Sequence, residues 1–342
     1  MKALRIWFGC VLGFSICTIL GWSNGMFGTL FPLFVLSNLN RWHSGMFVQL
    51  IVSCFWVGIQ VALIIGFLQP YPLLMTVAVG IFLLFKCHAM HSKESYLFGY
   101  TGLLVGSILL NFGSYANFDL ENFIVGVWVS ALMPVPICAL AFYLFPDPIE
   151  ENQPILKVEG QSKDPREMLE QTALGWMVAM IVFLIYQIGN LNDSLSAQAS
   201  MLIMLAPMTL VGTLAMARIR IIGTIAGCFA ALMIQLILYD LYENPILYIL
   251  SFAIASGVFC KWLASERPAL KGIGFSAMAA LTIPLTGIVP GQKDAFFAIL
   301  YRASSIIVAV IVTSLLVWIC YRLIRFFPIF FRGIERKAQT ER

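Results

Sequence analysis

Apolar stretches of about the length that crosses a bilayer follow one another along almost the whole chain. Read against proline, glycine and charge breaks, they fall at 4–20, 25–39, 44–67, 71–90, 96–115, 122–145, 172–189, 197–216, 221–241, 245–262, 269–288 and 295–324. A crossing helix takes about 20 mostly apolar residues, so these runs leave room for short loops and for no large soluble domain. Composition agrees: 11% of the residues are charged and 60% hydrophobic, against about 25% charged in an average soluble domain. The expectation is an all-α polytopic membrane protein with about twelve transmembrane helices, the second and eighth being short. The first run, behind Lys2 and Arg5, lacks a small-x-small cleavage site and reads as a retained helix rather than a secretory signal.

Charge placement sets the orientation. Lys and Arg gather in short cytoplasmic loops. With twelve spans and the N-terminus inside, all 21 basic residues except Lys293 and Arg302 fall on inner segments. A count wrong by one span scrambles that partition, so both termini are expected in the cytoplasm. The outer loops carry acids instead, among them Asp119, Glu121, Asp193, Asp240, Glu243 and Asp294.

Between the sixth and seventh runs lies PDPIEENQPILKVEGQSKDPREMLEQ, proline-broken, rich in acids and too short for a core. It divides the chain into a six-helix unit (1–145), a cytoplasmic linker (146–171), a second six-helix unit (172–325) and a basic tail (326–342). Lys86, after the fourth run, and Lys261, after the tenth, are 175 residues apart, and the runs that follow each roughly agree in length. Six is even, so the units share one orientation and the expected arrangement is two parallel six-helix repeats.

The segment ARIRIIGTIAGCFAALM places Arg218 and Arg220 at the mouth of the ninth run and spaces Gly223, Gly227 and Ala231 four residues apart. Basic heads at a helix end orient a span. A stripe of small residues lets a second helix approach closely, because packing drives helix association in lipid. With Pro207 upstream in MLIMLAPMTLVGTLAMA, the segment resembles the R-x-x-G-T-x-x-G stretch of the fusaric acid resistance and aromatic acid exporter superfamily. The opening LRIWFGCVLGFSICTILGWSNGMFGTLFPLFVL is similar to the first hairpin of that group. The six-linker-six layout resembles, more narrowly, a short bacterial branch without large soluble domains. The first half carries only a partial echo of the motif, Arg41 and Gly45 in RWHSGMFVQ.

The resemblance implies a multi-pass protein of the bacterial inner membrane, the transport component of an efflux system that works with a periplasmic membrane-fusion adaptor of the HlyD type. Its expected cargo is a small organic anion, aromatic carboxylic acids included. A homo-oligomer is compatible with the same reading, and no nucleic acid partner is expected. The competing reading is a non-transporting scaffold subunit that anchors an adaptor or a biosynthetic complex.

No GxxxxGK[ST] motif is present, which excludes ATP binding through a P-loop. No serine–histidine pair or acidic metal motif points to an enzyme, and no cofactor is expected. The eight cysteines lie mostly in apolar runs without CxxC spacing and read as small core residues. Cys87, His88 and His91 in KCHAMH share one helical turn but have no carboxylate nearby, and they read as interfacial polar residues. Polar groups in or at the ends of apolar runs need a partner in protein or water, because lipid supplies none. Asn111, Gln187 and Gln235 are therefore candidate substrate contacts, with helix-to-helix hydrogen bonding as the other reading; Gln60 and Asn190 stand in similar places. Arg302, the one basic residue inside an outer half-span, is a candidate for holding a substrate carboxylate or for pairing with an outer acid. Asp119, Glu121 and Asp240 are the carboxylates nearest the membrane and the candidate coupling groups.

Overall fold

The structure, a computed structural model, describes residues 1–22, 25–92, 94–115, 118–146, 165–189, 191, 195–238, 244–287 and 295–326. Among them the architecture is helical throughout, with no strand. In chain order the helices are α1 (Lys2–Ile19), α2 (Gly25–Asn38), α3 (Ser44–Leu68), α4 (Pro72–Ala89), α5 (Tyr96–Gly113), α6 (Leu120–Leu144), α7 (Pro165–Gly189), α8 (Leu195–Met204), α9 (Leu210–Ile237), α10 (Pro245–Leu263), α11 (Pro268–Gly287) and α12 (Ala295–Phe326). Most of the 146–171 linker, the tail beyond Phe326, and Asn190, Asp193, Asp240, Glu243, Lys293 and Asp294 lie outside the described residues.

Ten of these helices are long and apolar enough to cross a membrane, and α2 and α8 are shorter. At about 1.5 Å per residue, the 10 residues of α8 reach about halfway across a hydrocarbon core about 30 Å thick. Two helices carry local breaks. Gly102–Gly106 in α5 is wound as a π-helix, and α6 is interrupted at Met133 just before Pro134 and Pro136, where proline removes backbone donors.

The sequence places the eighth break at 217–220; the structure places it at 205–209. Local turn chemistry outranks apolar continuity here. Pro207 has no N–H to extend α8, Met208 takes a positive φ of 48°, and the Thr209 hydroxyl accepts the Gly212 N–H at 3.2 Å as the N-cap of α9. The α9 helix therefore starts at Leu210, and Arg218 and Arg220 sit well inside it rather than at its mouth. Being two residues apart on a helix, they point to nearly opposite sides: Arg218 is exposed and Arg220 is buried.

The tightest contact is between α9 and α11, where the small-residue stripe lies. A Cβ on Gly223 would sit 2.7 Å from the Ile273 carbonyl oxygen, and one on Gly227 would sit 2.8 Å from the Ala280 Cβ. Ala231, fully buried, continues the same face. Helix α1 packs on α2 and α10, α4 packs on α5 and α7, and α12 packs on α7, α8 and α9. Helix α2 also touches α11, and α8 touches α5. Phe14 of α1 stacks on Phe252 of α10 with centroids 3.9 Å apart.

Candidate functional site

Arg220 is a buried cation at the meeting of α2, α5, α8, α9 and α11. It is 4% exposed. Its Nη2 donates to the Ser200 hydroxyl of α8 at 2.6 Å and its Nη1 to the Ser276 hydroxyl of α11 at 3.5 Å. The Ser200 hydroxyl itself donates to the Ser196 carbonyl at 2.7 Å, which leaves its lone pairs for the guanidinium. Ser276 reaches Arg220 because Gly223, one turn along α9, has no side chain where the Ser276 Cβ lies. Tyr100 of α5 is within electrostatic reach of Arg220, and its ring stacks against Tyr96 at 6.1 Å and Phe34 of α2 at 6.3 Å. Among the described residues no carboxylate pairs with Arg220, and its Nε has no partner. Arg220 is visible in the sequence as an orienting charge; Ser200, Ser276 and Tyr100 come from three other helices and carry no local signal.

Other cations also turn inward. The Lys86 ammonium in the last turn of α4 is buried, lies 3.7 Å from the Phe98 ring centroid and 5.1 Å from that of Phe82, and makes no hydrogen bond among the described residues. Arg5, fully buried, donates to the Leu39 carbonyl at 3.4 Å and faces the Phe142 ring at 4.3 Å. Lys271 of α11 donates to Asn38 of α2 at 3.4 Å. Burying a charge without a counter-ion costs several kcal/mol, and neutral hydroxyls or rings return part of that. Among the described residues the interior around Arg220 and Lys86 is therefore electropositive.

The polar residues singled out in the sequence fall into two groups. Asn111 of α5 and Gln187 of α7 come together: the Gln187 amide donates to Asn111 Oδ1 and to the Ser114 hydroxyl, both at 2.7 Å. Asn111 in turn donates to Gln198 of α8 at 3.1 Å, and Gln198 donates to the Ser107 carbonyl at 3.1 Å. Gln198 is fully buried and is the member that sequence reasoning passed over, although it lies at the start of the apolar run at 197–216. The group ties α5, α7 and α8 by helix-to-helix hydrogen bonds. Gln235, with Gln60 in α3, keeps a buried carbonyl oxygen without a partner among the described residues.

Arg302 lies two turns into α12, partly buried, close to Cys228 of α9, with one guanidinium nitrogen lacking a partner among the described residues. Neither Asp119 nor Glu121 pairs with it among the described residues. Asp119 is exposed and caps α6, accepting the Asn122 N–H at 3.0 Å, and Glu121 is exposed in the first turn. Asp240, the third candidate coupling group, lies outside the described residues. In KCHAMH, Cys87 is buried against Gly175 while His91 shares a hydrogen bond with Thr172 of α7 at 2.8 Å.

Residues 2–141, the stretch from α1 into α6, match a family model described as a protein of unknown function (DUF2955). No curated protein matches the chain, and no solved structure does. The match ends before α7, so the Arg220 surroundings on α8, α9 and α11 lie beyond it.

Proposed function

We propose that the chain is the transport component of a bacterial inner-membrane efflux system, exporting small organic anions with a periplasmic adaptor of the HlyD type as partner. It crosses the membrane twelve times as two parallel six-helix repeats, α1–α6 and α7–α12, with both termini in the cytoplasm. Packing that recurs six helices later supports the repeat. Helix α4 packs on α7 as α10 packs on α1; α1 packs on α6 as α7 packs on α12; α2 touches α11 as α8 touches α5. The Trp176 indole donates to the Gly80 carbonyl at 2.8 Å across the α7–α4 contact, and the Trp7 indole to the Ala253 carbonyl at 2.7 Å across α1–α10.

The observation that carries the transport reading is the pair α2 and α8. These two short helices hold corresponding places in the two units, and both lie where the units meet. In transporters, short or interrupted segments at matching positions of two repeats mark the substrate pathway, because irregular backbone at membrane depth is tolerated only inside protein or beside water. Here α8 supplies Ser200 to Arg220 and α2 supplies Phe34 to the aromatic stack beside it. The electropositive junction, without a described carboxylate, suits an anion.

The crossing count has a sharp test, because the eight cysteines are all buried and give little background. With twelve crossings, Gln69, exposed after α3, faces outward and Glu266, exposed after α10, faces inward. If only the ten long helices crossed, Gln69 would face the cytoplasm. In intact cells Gln69→Cys is expected to react with an impermeant thiol reagent and Glu266→Cys to be protected. A protected Gln69→Cys that reacts only after lysis would overturn the twelve-crossing topology. The function itself predicts that deleting the gene lowers tolerance to small aromatic acids and raises their cellular level, and that re-expression restores both. Unchanged tolerance and level would favour the scaffold role.

A further inference from the structure

We propose that Arg220, held by Ser200 and Ser276, is the point where the transported anion docks its carboxylate. The inference rests on the transport reading and gives that reading a site. A guanidinium has five N–H donors in a rigid fork. In the present state one donor goes to each serine, both acceptors are neutral, and the Nε donor is buried without a partner. That leaves three of the five N–H groups, the buried Nε–H among them, and two neighbouring N–H groups on one edge of a guanidinium can take a carboxylate in bidentate fashion. Nothing charged competes for it among the described residues.

The surroundings add selectivity. Tyr100, within electrostatic reach of the fork, stacks on Phe34 with centroids 6.3 Å apart, and this aromatic pair offers a wall against which a flat, apolar body can lie while its carboxylate meets Arg220. Lys271, hydrogen-bonded to Asn38 across the α2–α11 contact, adds a second cation on an adjoining helix pair. At 4% exposure Arg220 is reached only when the two six-helix units part along α2, α5, α8 and α11. Docking is therefore tied to the opening of that seam, and the serines hold the fork in position through donors other than the Nε–H that the carboxylate takes. The alternative is a purely structural clasp of α8, α9 and α11.

The test uses the full chain in nanodiscs, with benzoate as the anionic probe and benzyl alcohol as its uncharged match. The intact protein is expected to bind benzoate saturably and to show no saturable response to benzyl alcohol. Arg220→Lys keeps the charge but loses the bidentate edge, and is expected to weaken benzoate binding at least tenfold while melting as the unsubstituted protein does without ligand. Ser276→Ala keeps the arginine and loosens its hold, so it serves if Arg220→Lys misfolds; a several-fold loss of affinity is expected. Unchanged benzoate affinity in folded Arg220→Lys, or in Ser276→Ala where the lysine variant misfolds, overturns the docking role. Benzoate flux carried by the intact protein and carried equally by Arg220→Gln would remove the site while leaving transport standing. Absence of flux from the intact protein would instead remove the transport reading on which the site depends.

Discussion

Gly227→Leu is expected to abolish most of the folded protein, while Gly66→Leu leaves it nearly intact. Both glycines lie inside long helices, and leucine has the better helix propensity by roughly 1 kcal/mol, so local preference favours both changes. Packing separates them. A Cβ at Gly227 would collide with the Ala277 carbonyl oxygen and stand 2.8 Å from the Ala280 Cβ, whereas one at Gly66 would meet nothing within 4 Å. The neighbours of Gly227 are mainly backbone and a methyl carbon, none of which can swing aside, so α9 and α11 must separate. Overpacking a filled interior costs about 1–3 kcal/mol even where side chains adjust; with rigid neighbours a cost at or above that upper end is expected. The share of protein eluting as a single species in mild detergent, with its melting temperature, reads the difference. Equal yield and equal melting for the two variants would remove the close-packed stripe as the reason for Gly223 and Gly227.

The second large effect concerns the hydrogen-bonded group that ties the C-terminal ends of α5 and α7 to the N-terminal part of α8. Asn111→Leu preserves size but strips the donor from Gln198 Oε1 and the acceptor from the Gln187 amide. Leaving a buried polar group unmade costs about 1–3 kcal/mol in water-soluble proteins, and hydrogen bonds between membrane helices average about 0.6 kcal/mol. A loss of about 2 kcal/mol is expected. Because Asn111 and Gln198 share one bond, Asn111→Leu and Gln198→Leu together are expected to cost clearly less than the sum of the two alone. Additive effects would deny the coupling. A fully stable Asn111→Leu protein that has lost transport would assign Asn111 to the substrate instead.

Much of the helical layout was legible because length and apolarity alone mark a span. Residues 44–67 became Ser44–Leu68 and 245–262 became Pro245–Leu263, with proline at the first turn of α10 fixing its start. The short α2 and α8 also stood out as weak stretches. What misled was the join between the eighth and ninth helices. An unbroken apolar run hides the turn that Pro207, Met208 and Thr209 make, so the sequence puts Arg220 at a helix end when it lies inside Leu210–Ile237.

The candidate site was legible in its parts and not in its assembly. Gly223, Gly227 and Arg220 are spaced so that a helix places them on one face, which a single run can reveal. That the face meets α11, and that Ser276 completes the arginine's surroundings, depends on a contact 56 residues away. Likewise Asn111 and Gln187 are visible as polar groups in apolar runs, but their shared bond spans 76 residues, and Gln198, at the start of the run at 197–216, has no neighbour in sequence that ties it to them. Arg302 was visible as a misplaced charge, and its surroundings in the structure leave one of its nitrogens without a described partner.

Flux through the purified protein decides between a transporter and a membrane scaffold. Liposomes containing the reconstituted full chain, loaded with labelled benzoate at about pH 8, hold almost no neutral acid to leak through lipid, since carboxylic acids of this kind titrate near pH 4. Release that saturates with benzoate concentration, exceeds that from protein-free liposomes and scales with the amount of inserted protein is the expected result. Release no faster than from empty liposomes, from protein that is folded and inserted, would contradict the transport function.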